Sequence, residues 1–238
     1  MNTLRSLAFV IFMYGLIVVM GTLGIWLLLA PRTWARAYFR VFLTIIWGAL
    51  AVICGIRFEV RGQENIPQGG ALIASNHQSM FETLAFWDIL PDPAIILKKS
   101  LAYLPFFGWF ALKLKNITVD RSAAAKALRG MLRDAAARAE EGRQVLIFPE
   151  GTRVTPGDNP DFKPGVAGLY AAMKVPCVPV ALNSGLYWPA HGFKRHAGVI
   201  VVEFLEPIEP GLSKDEFLTT LRERINTASD ALLPGGKE

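Results

Sequence analysis

A histidine and a carboxylate five residues apart are the first pattern in this chain that could do chemistry. His77 opens the run His-Gln-Ser-Met-Phe-Glu, which ends at Glu82. Imidazole has an unperturbed pKa of about 6.5, so it can accept a proton near neutral pH, and a carboxylate on one ring nitrogen orients the other. Such a pair could deprotonate a hydroxyl group. The two residues alone fit equally well a histidine that caps a helix beside a solvated glutamate.

The elements around this pair place the histidine at one edge of a predicted sheet. Residues 70–75 form a short apolar run after a turn rich in proline and glycine, which predicts a buried strand, and residues 79–90 have a helical pattern. His77 then follows the carboxyl end of that strand. Ligands of open α/β sheets usually bind at this edge, so the location favours a functional role.

A second polar group follows another apolar run. Residues 145–148 predict a buried strand, and the turn after it contains Glu150, Gly151, Thr152 and Arg153. Gly151 permits a tight turn, and the planar guanidinium of Arg153 suits bidentate binding of phosphate. Thr152 and nearby backbone amides could complete an anion site that Glu150 orients. The alternative is an exposed turn in which Glu150 and Arg153 form an ion pair worth about 0–1 kcal/mol.

Two further basic residues end predicted strands. Arg121 follows the strand at 116–119, and Lys98 ends the strand at 94–98. An ammonium group at Lys98 could meet the phosphate of a substrate, although most lysines are simply solvated. A plain strand end is the alternative for Arg121.

Four blocks together resemble the glycerolipid acyltransferases. The blocks are residues 77–82, 119–121, 148–153 and 175–180, in the order and spacing of that family, and the resemblance covers roughly residues 57–210. It implies that His77 is the catalytic base with Glu82 as its partner, and that Arg121 holds a glycerol phosphate. It also implies that block 148–153 binds phosphate. One departure is that the family's usual acid is aspartate, which is one methylene shorter than Glu82.

The reaction that the resemblance implies is transfer of a fatty acyl group from acyl-CoA or acyl-ACP to the sn-2 hydroxyl of lysophosphatidic acid, which gives phosphatidic acid. No cofactor or metal is expected beyond this acyl donor. Other acceptors stay open: glycerol 3-phosphate, a lyso-ornithine lipid or another lysophospholipid. A non-catalytic, membrane-anchored lipid-binding protein is the alternative from another class. A serine hydrolase is disfavoured because no Gly-x-Ser-x-Gly pattern surrounds Ser75 or Ser79.

Composition limits the partners. The 238 residues carry a net charge of +5, and 52% of them are hydrophobic. This charge suits anionic lipids, phosphates and coenzyme A, whereas the scattered basic residues and the lack of recognised motifs argue against nucleic acid. The expected partners are lysophosphatidic acid, the acyl donor, membrane lipids and, for an acyl-ACP donor, the acyl carrier protein. Two cysteines in apolar surroundings, Cys54 and Cys177, predict neither a disulfide nor a reactive thiol.

The amino-terminal segment predicts a two-helix membrane anchor. Residues 7–30 carry no charge, and a second uncharged run at 41–56 follows Arg32, Arg36 and Arg40. Two full spans would place these arginines outside, against the positive-inside tendency. Either the first helix alone spans or both helices form an interfacial or re-entrant pair. The expected location is a membrane, namely a bacterial inner membrane with the catalytic domain on the cytoplasmic face.

The remaining chain alternates strands and helices. Strands are predicted near 57–61, 70–75, 94–98, 116–119, 145–148, 177–182 and 198–204, with helices between them, including 122–141 and 214–232. The fold class expected is therefore α/β, with a mixed, mostly parallel sheet flanked by helices and preceded by the anchor. Residues 1–56 would form the membrane-anchoring segment and residues 57–238 the acyltransferase domain.

Overall fold

Two apolar helices begin the chain in the computed structural model, which describes residues 2–120 and 124–235. Arg121 lies outside the described residues. The first helix, α1 (Asn2–Leu23), leads through a short 3₁₀ turn to α2 (Arg32–Ala49), which continues as a π-helical segment to Cys54. Gly55 ends it with a φ of 70°, a left-handed conformation that glycine adopts without steric cost. Both helices are long and apolar enough to cross a membrane.

Within the described ranges, seven strands and six further α-helices follow. The strands are β1 (Ile56–Arg61), β2 (Ala71–Ser75), β3 (Pro93–Lys98), β4 (Ile117–Val119), β5 (Gln144–Ile147), β6 (Cys177–Leu182) and β7 (Gly198–Phe204). The helices are α3 (Phe81–Ile89), α4 (Phe107–Lys113), α5 (Ala124–Glu140), α6 (Gly165–Met173), α7 (Ser184–Tyr187) and α8 (Lys214–Ala231). Each strand begins and ends within one residue of the predicted position.

The strands form one sheet with the order β1-β7-β6-β2-β5-β3-β4. The five strands from β6 to β4 are parallel to one another. The pair β1 and β7 is also parallel, but β7 runs antiparallel to β6. The prediction of a mixed, mostly parallel sheet flanked by helices is therefore confirmed.

Alternate side chains of each strand enter two hydrophobic layers. Ile73 of β2 packs into the layer that contains α2 and α3, whereas its neighbour Leu72 packs into the layer that contains α5, α6 and α8. Because helices cover both faces, β2 and β6 are buried along their whole length, which explains their continuous apolar sequence. The carboxyl ends of the central strands then lie together at one edge of the sheet.

At the opposite, amino edge of the sheet, Asp92 binds three arginines. Arg32 donates two hydrogen bonds to its carboxylate, Arg36 lies 3.3 Å from it, and Arg143 lies 3.5 Å from it. Burial acts to raise the pKa of Asp92, but these positive charges hold that pKa below its usual value. Burial also lowers the pKa of Arg143 to about 10, so this arginine is still charged at neutral pH.

The arginines of the amino-terminal segment therefore have partners in the sheet domain. Arg32, Arg36 and Arg40 lie inside α2 rather than before it. Besides the contacts with Asp92, Arg36 and Arg40 donate to the backbone carbonyls of residues 91 and 90. The sequence analysis had used these three arginines only to predict the orientation of the helices in a membrane. The structure shows that they attach α2 to the connection between α3 and β3.

The two amino-terminal helices also present an apolar surface to the outside. Exposed side chains on α1, α2 and their connections include Leu4, Ile11, Tyr14, Val18, Val19, Trp26, Leu29, Trp34 and Val52. Leu29 is 94% exposed and Val52 is 79% exposed. An apolar patch of this kind on a protein surface usually marks an interaction site. The structure thus contains two apolar helices that are candidate membrane spans, each with one face on the protein and another face open.

Candidate active site

Three loops meet where neighbouring strands end. In the sheet, β2 lies between β6 and β5, and these three strands are parallel. The loops that follow them begin at residues 76, 148 and 183, so they emerge side by side. The predicted histidine and the predicted phosphate turn belong to the first two loops. The third loop, which leads into α7, had no role in the sequence analysis.

His77 and Glu82 form the contact that their spacing predicted. The Nδ1 atom of His77 lies 2.8 Å from Oε1 of Glu82. Glu82 lies in the first turn of α3, which brings its side chain back toward the loop. The extra methylene of glutamate does not prevent the contact. Because Nδ1 faces a carboxylate, Nε2 is the ring nitrogen left for proton transfer to or from a substrate.

The carboxylate of Glu82 is fully buried and held by several donors. The backbone amides of Gln78 and Ser79 donate to Oε1 at 2.7 and 2.6 Å. The hydroxyl groups of Ser79 and Ser184 donate to Oε2 at 2.9 and 2.7 Å. Burial acts to raise the pKa of Glu82, but the hydrogen bonds from His77, Ser79 and Ser184 outweigh it and hold this pKa below its usual value. Glu82 is therefore ionised at neutral pH.

Glu150 holds the backbone of the histidine rather than facing solvent. Its Oε2 atom accepts a hydrogen bond of 2.7 Å from the His77 amide, and the side chain is almost completely buried. Burial and the nearby charge of Glu82 raise the pKa of Glu150 to about 8, although the hydrogen bond from His77 acts in the opposite direction. At neutral pH one carboxyl group of the site is thus charged and the other is protonated.

Two more contacts connect the histidine to the loop after β5. The ring of Phe148 stacks on the imidazole of His77, with centroids 4.0 Å apart and an interplanar angle of 16°. The amide of Val154 donates to the His77 carbonyl at 2.7 Å. The block predicted to bind phosphate therefore also fixes the position of the histidine, which links the two predicted motifs in one unit.

The remaining predicted residues of this block form an exposed turn. Gly151 has a φ of 72°, which confirms that the turn needs a left-handed conformation. Thr152 and Arg153 are exposed to solvent. The side chain of Lys163 passes beside Gly151, so a second cation lies next to the turn. An exposed guanidinium and a nearby ammonium could bind a dianionic phosphate.

Lys98 is exposed at the carboxyl end of β3, on the same edge of the sheet. Its register partner on β4 is Val119, two residues before Arg121. The neighbouring Lys99 pairs with Asp120 at 3.2 Å. The roles of Lys98 and Arg121 in substrate binding stay predictions.

The hydroxyl groups of Ser75 and Ser79 are hydrogen-bonded, and both thiols of the chain are buried. Ser79 donates to Glu82 and accepts a hydrogen bond from the amide of residue 81, and Ser75 donates to the carbonyl of Asn76. Both cysteines are free and buried, and burial raises the pKa of the Cys177 thiol. Among the described residues no cluster of three or more metal-ligand side chains is present.

An apolar cavity is lined in part by residues from the segment that carries His77 and Glu82. Its volume is about 880 Å³ including its open mouth. Met80 and Thr83, which are close neighbours of the dyad in sequence, contribute to its wall. The remaining wall comes from α1, α2, α3, β3 and α4, chiefly through Met13, Ile17, Met20, Tyr38, Phe39, Phe42, Leu84, Trp87, Leu97, Phe107 and Phe110. The amino-terminal helices therefore help to form the site.

The aromatic segment before α4 closes one part of this cavity. Phe106 has a φ of 61°, an uncommon conformation for a residue with a side chain, and its ring occupies the space beside Gly21 of α1. A Cβ atom at Gly21 would lie 2.3 Å from this ring. The sequence left three locations open for these aromatic residues, namely the core, an acyl-chain tunnel or a membrane-facing lip, and the structure places Phe106, Phe107 and Phe110 in the cavity wall.

The structure thus has an α/β sheet with a histidine–carboxylate pair at the carboxyl ends of its central strands. The model of the Acyltransferase family matches residues 57–183. The chain belongs to this family, and it is an acyltransferase. The resemblance that the four sequence blocks indicated is confirmed.

Named relatives agree with this assignment. The 1-acyl-sn-glycerol-3-phosphate acyltransferase of Pseudomonas aeruginosa is 37% identical over 206 residues, which are 84% of this chain and 79% of that protein. The Saccharomyces cerevisiae protein of that name is 30% identical over 83% of this chain and 65% of its own length. The Escherichia coli protein of that name is 29% identical over 69% of this chain and 67% of its own length.

A solved structure shares the fold. The crystal structure of the 1-acyl-sn-glycerophosphate (LPA) acyltransferase PlsC from Thermotoga maritima has a TM-score of 0.79 to this chain. The match covers 97% of this chain and 95% of that protein, at 24% sequence identity. It therefore includes the two amino-terminal helices as well as the sheet domain.

Proposed function

We propose that the chain transfers a fatty acyl group from acyl-CoA or acyl-ACP to the sn-2 hydroxyl of lysophosphatidic acid, with His77 as general base. The observation that carries this proposal is the 2.8 Å contact between His77 Nδ1 and the buried, ionised Glu82. It sets the tautomer of the imidazole and leaves Nε2 as the basic atom. The names of the relatives supply the acceptor.

The geometry suggests a direct transfer. The Nε2 atom of His77 takes the proton of the acceptor hydroxyl while the oxygen attacks the thioester carbonyl. The tetrahedral intermediate then expels the thiolate as the C–S bond breaks, and the thiolate receives the proton from the imidazolium. Glu82 stabilises the imidazolium between these two steps, as the carboxylate does in related proton-transfer dyads.

The apolar cavity would hold an acyl chain. Its wall is built almost entirely of aliphatic and aromatic side chains, and it begins at residues that adjoin the dyad. In this proposal an acyl chain in the cavity would extend its carbonyl carbon toward His77. Burial of each methylene of the chain contributes about 0.8 kcal/mol, so the cavity can bind and orient the donor or the acceptor lipid.

The phosphate of the acceptor would bind at the exposed turn. Gly151, Thr152 and Arg153 form this turn beside the dyad, and the sequence resemblance adds Arg121 and Lys98 as candidates. The turn is joined to His77 through Phe148 and Glu150. Binding of the phosphate at a fixed distance from the histidine would select the neighbouring hydroxyl for acylation.

The apolar amino-terminal helices would hold the enzyme on a membrane. Because α2 is attached to the sheet domain through Asp92 and α1 lines the cavity, we favour a helix pair that lies in one leaflet over two helices that cross it. An acyl chain could then move between bilayer and cavity. The expected location is the cytoplasmic face of a bacterial inner membrane, where acyl-CoA and acyl-ACP are available.

The test is an acyltransfer assay on the full chain in detergent micelles, with His77→Ala as the control variant. Labelled acyl-CoA and acyl-ACP are each offered with lysophosphatidic acid, glycerol 3-phosphate, a lyso-ornithine lipid and zwitterionic lysophospholipids. We expect label in phosphatidic acid and release of one thiol per acyl group. Transfer to another acceptor alone would replace the substrate, and absence of transfer from both donors would contradict the proposal.

A further inference from the structure

Glu82 uses its two carboxylate oxygens for different partners. Oε1 faces His77 and the backbone amides of Gln78 and Ser79. Oε2 faces away from the imidazole and accepts hydrogen bonds from the hydroxyls of Ser79 and Ser184. Ser184 is 102 residues away in sequence and comes from the loop after β6, on the other side of β2 from the phosphate turn.

Several contacts fix the Ser184 hydroxyl in place. Ser184 begins α7 and is completely buried. The amide of Gly185 donates to Oε1 of Gln78 at 3.0 Å, and the amide of Trp188 donates to the Ser184 carbonyl at 2.8 Å. A Cβ atom at Gly185 would lie 2.8 Å from Pro156. Helix α7 therefore approaches the loop after β5 too closely for a residue larger than glycine at position 185. The hydroxyl is thus presented to Glu82 by a rigid element.

We propose that Ser184 is a positioning residue for acyl transfer, which acts by holding Oε2 of Glu82 so that Oε1 stays in line with His77. This inference rests on the proposed role of His77 as the base. In a buried site no water replaces the lost donor, so Oε2 keeps only the Ser79 hydroxyl and the carboxylate is no longer fixed against rotation. Rotation about the terminal bond of Glu82 would move Oε1 away from Nδ1 and weaken the orientation of the imidazole.

The primary test compares Ser184→Ala with Ser75→Ala. Ser75 is equally buried, but its hydroxyl donates to the Asn76 carbonyl and does not touch Glu82. We expect Ser184→Ala to lower kcat about tenfold with the KM for the acceptor within twofold, because the lost donor bound a charged group. Ser75→Ala should keep kcat within twofold. Equal effects of the two substitutions on kcat, or a change confined to KM, would overturn the proposal.

A second variant separates the hydrogen bond from the volume of the side chain. Ser184→Cys fills nearly the same space, but its thiol is a weak donor. We expect its kcat to lie close to that of Ser184→Ala, with a melting temperature close to that of the unmodified enzyme. Full activity of Ser184→Cys would show that the packing of the site matters rather than the hydroxyl, and would overturn the proposal.

A double-substitution cycle tests whether the effect passes through Glu82. Aspartate at position 82 is one methylene too short to reach both His77 and Ser184. In the Glu82→Asp background, Ser184→Ala should therefore change kcat less than twofold. The same tenfold loss in both backgrounds would show that Ser184 acts elsewhere.

His77→Ala is measured alongside these variants as a test of the proposed base. If His77→Ala retains activity, the proposed base is wrong. If His77→Ala is inactive but Ser184→Ala is fully active, only the inference about Ser184 is contradicted.

Discussion

Two buried or partly buried carboxylates at opposite edges of the sheet differ in what surrounds them. Glu82, at the carboxyl edge, is held by a histidine, two backbone amides and two hydroxyls. Asp92, at the amino edge, is held by Arg32, Arg36 and Arg143. Each carboxylate is kept ionised. At the carboxyl edge, neutral donors and an imidazole stabilise the charge of Glu82, whereas at the amino edge arginine cations stabilise the charge of Asp92.

The difference shows how one sheet separates reaction from attachment. Arginine does not release its proton at physiological pH, so the cluster around Asp92 can only hold α2 in place. Imidazole exchanges its proton near neutral pH, and an ionised carboxylate such as Glu82 can stabilise the imidazolium form of its partner. The separation predicts that substitutions at the carboxyl edge change turnover and that substitutions at the amino edge change stability.

The largest expected effect is that of His77→Ala. Loss of the base should lower kcat by about 10³-fold, because general bases contribute roughly 10²–10⁴-fold. The melting temperature should change by less than about 2 °C. Activity and thermal unfolding are measured on the same preparation. A large loss of stability in this variant would show that the two edges are not separate in function.

Asp92→Asn should instead lower the stability of the protein and leave kcat nearly unchanged. Removal of this charge leaves three arginines near the amino edge without their carboxylate, which should lower the free energy of unfolding by about 3 kcal/mol. The kcat at 25 °C should stay within twofold. The pH dependence follows from the lowered pKa of Asp92: its contribution is present above the unfolded pKa of about 3.9 and disappears as the pH falls through the lower folded pKa.

The stability difference between the unmodified protein and Asp92→Asn should accordingly shrink only below about pH 4. Chemical denaturation from pH 3 to pH 8 checks this. A difference that shrinks near pH 7 instead would contradict the assignment to this carboxylate.

Glu150→Gln tests a third carboxyl group, Glu150, through its effect on the pH dependence of stability. Its pKa is raised to about 8, so the stability contributed by its protonated form is present below the unfolded pKa of about 4.3 and disappears as the pH rises to about 8. An amide mimics the protonated acid and does not titrate. Relative to the unmodified protein, the variant should gain roughly 4 kcal/mol in the free energy of unfolding between pH 4.5 and pH 8.5.

This measurement uses denaturant unfolding at both pH values, with Glu59→Gln as the control because Glu59 lies exposed on the edge strand β1. An equal pH response of the two variants would mean that Glu150 titrates in the usual range.

The smallest expected effect is that of Arg153→Ala. Loss of an exposed guanidinium at the phosphate turn should raise the KM for lysophosphatidic acid about tenfold, which corresponds to about 1.4 kcal/mol, while the KM for the acyl donor changes less than twofold. Initial rates with each substrate varied in turn measure both constants. Arg133→Ala, on the exposed face of α5, is the matched control. An equal rise for both substrates would place the phosphate elsewhere.

The sequence predicted what local patterns determine. Each strand is a short apolar run bounded by turn residues, and the spacing of His77 and Glu82 brings them together across a single turn of backbone. The position of Ser184 was not predictable, because its contact with Glu82 depends on the order of β6 and β2 in the sheet. The partner of Arg32 was hidden for the same reason: Asp92 reaches it through a fold-level contact that no periodicity shows.

The contact between Ser6 of α1 and Arg195, far along the chain, has a consequence for biosynthesis. Ser6 accepts a hydrogen bond from the amide of Arg195, whose guanidinium lies over the rings of Phe9 and Trp188. On the ribosome α1 emerges first, and these partners follow roughly 180 residues later, which at about 5–20 residues per second means roughly 10–40 s. During that interval a bilayer is the surface that can cover both faces of α1. The surroundings of Ser6 and Phe9 are thus completed only when most of the chain has been synthesised.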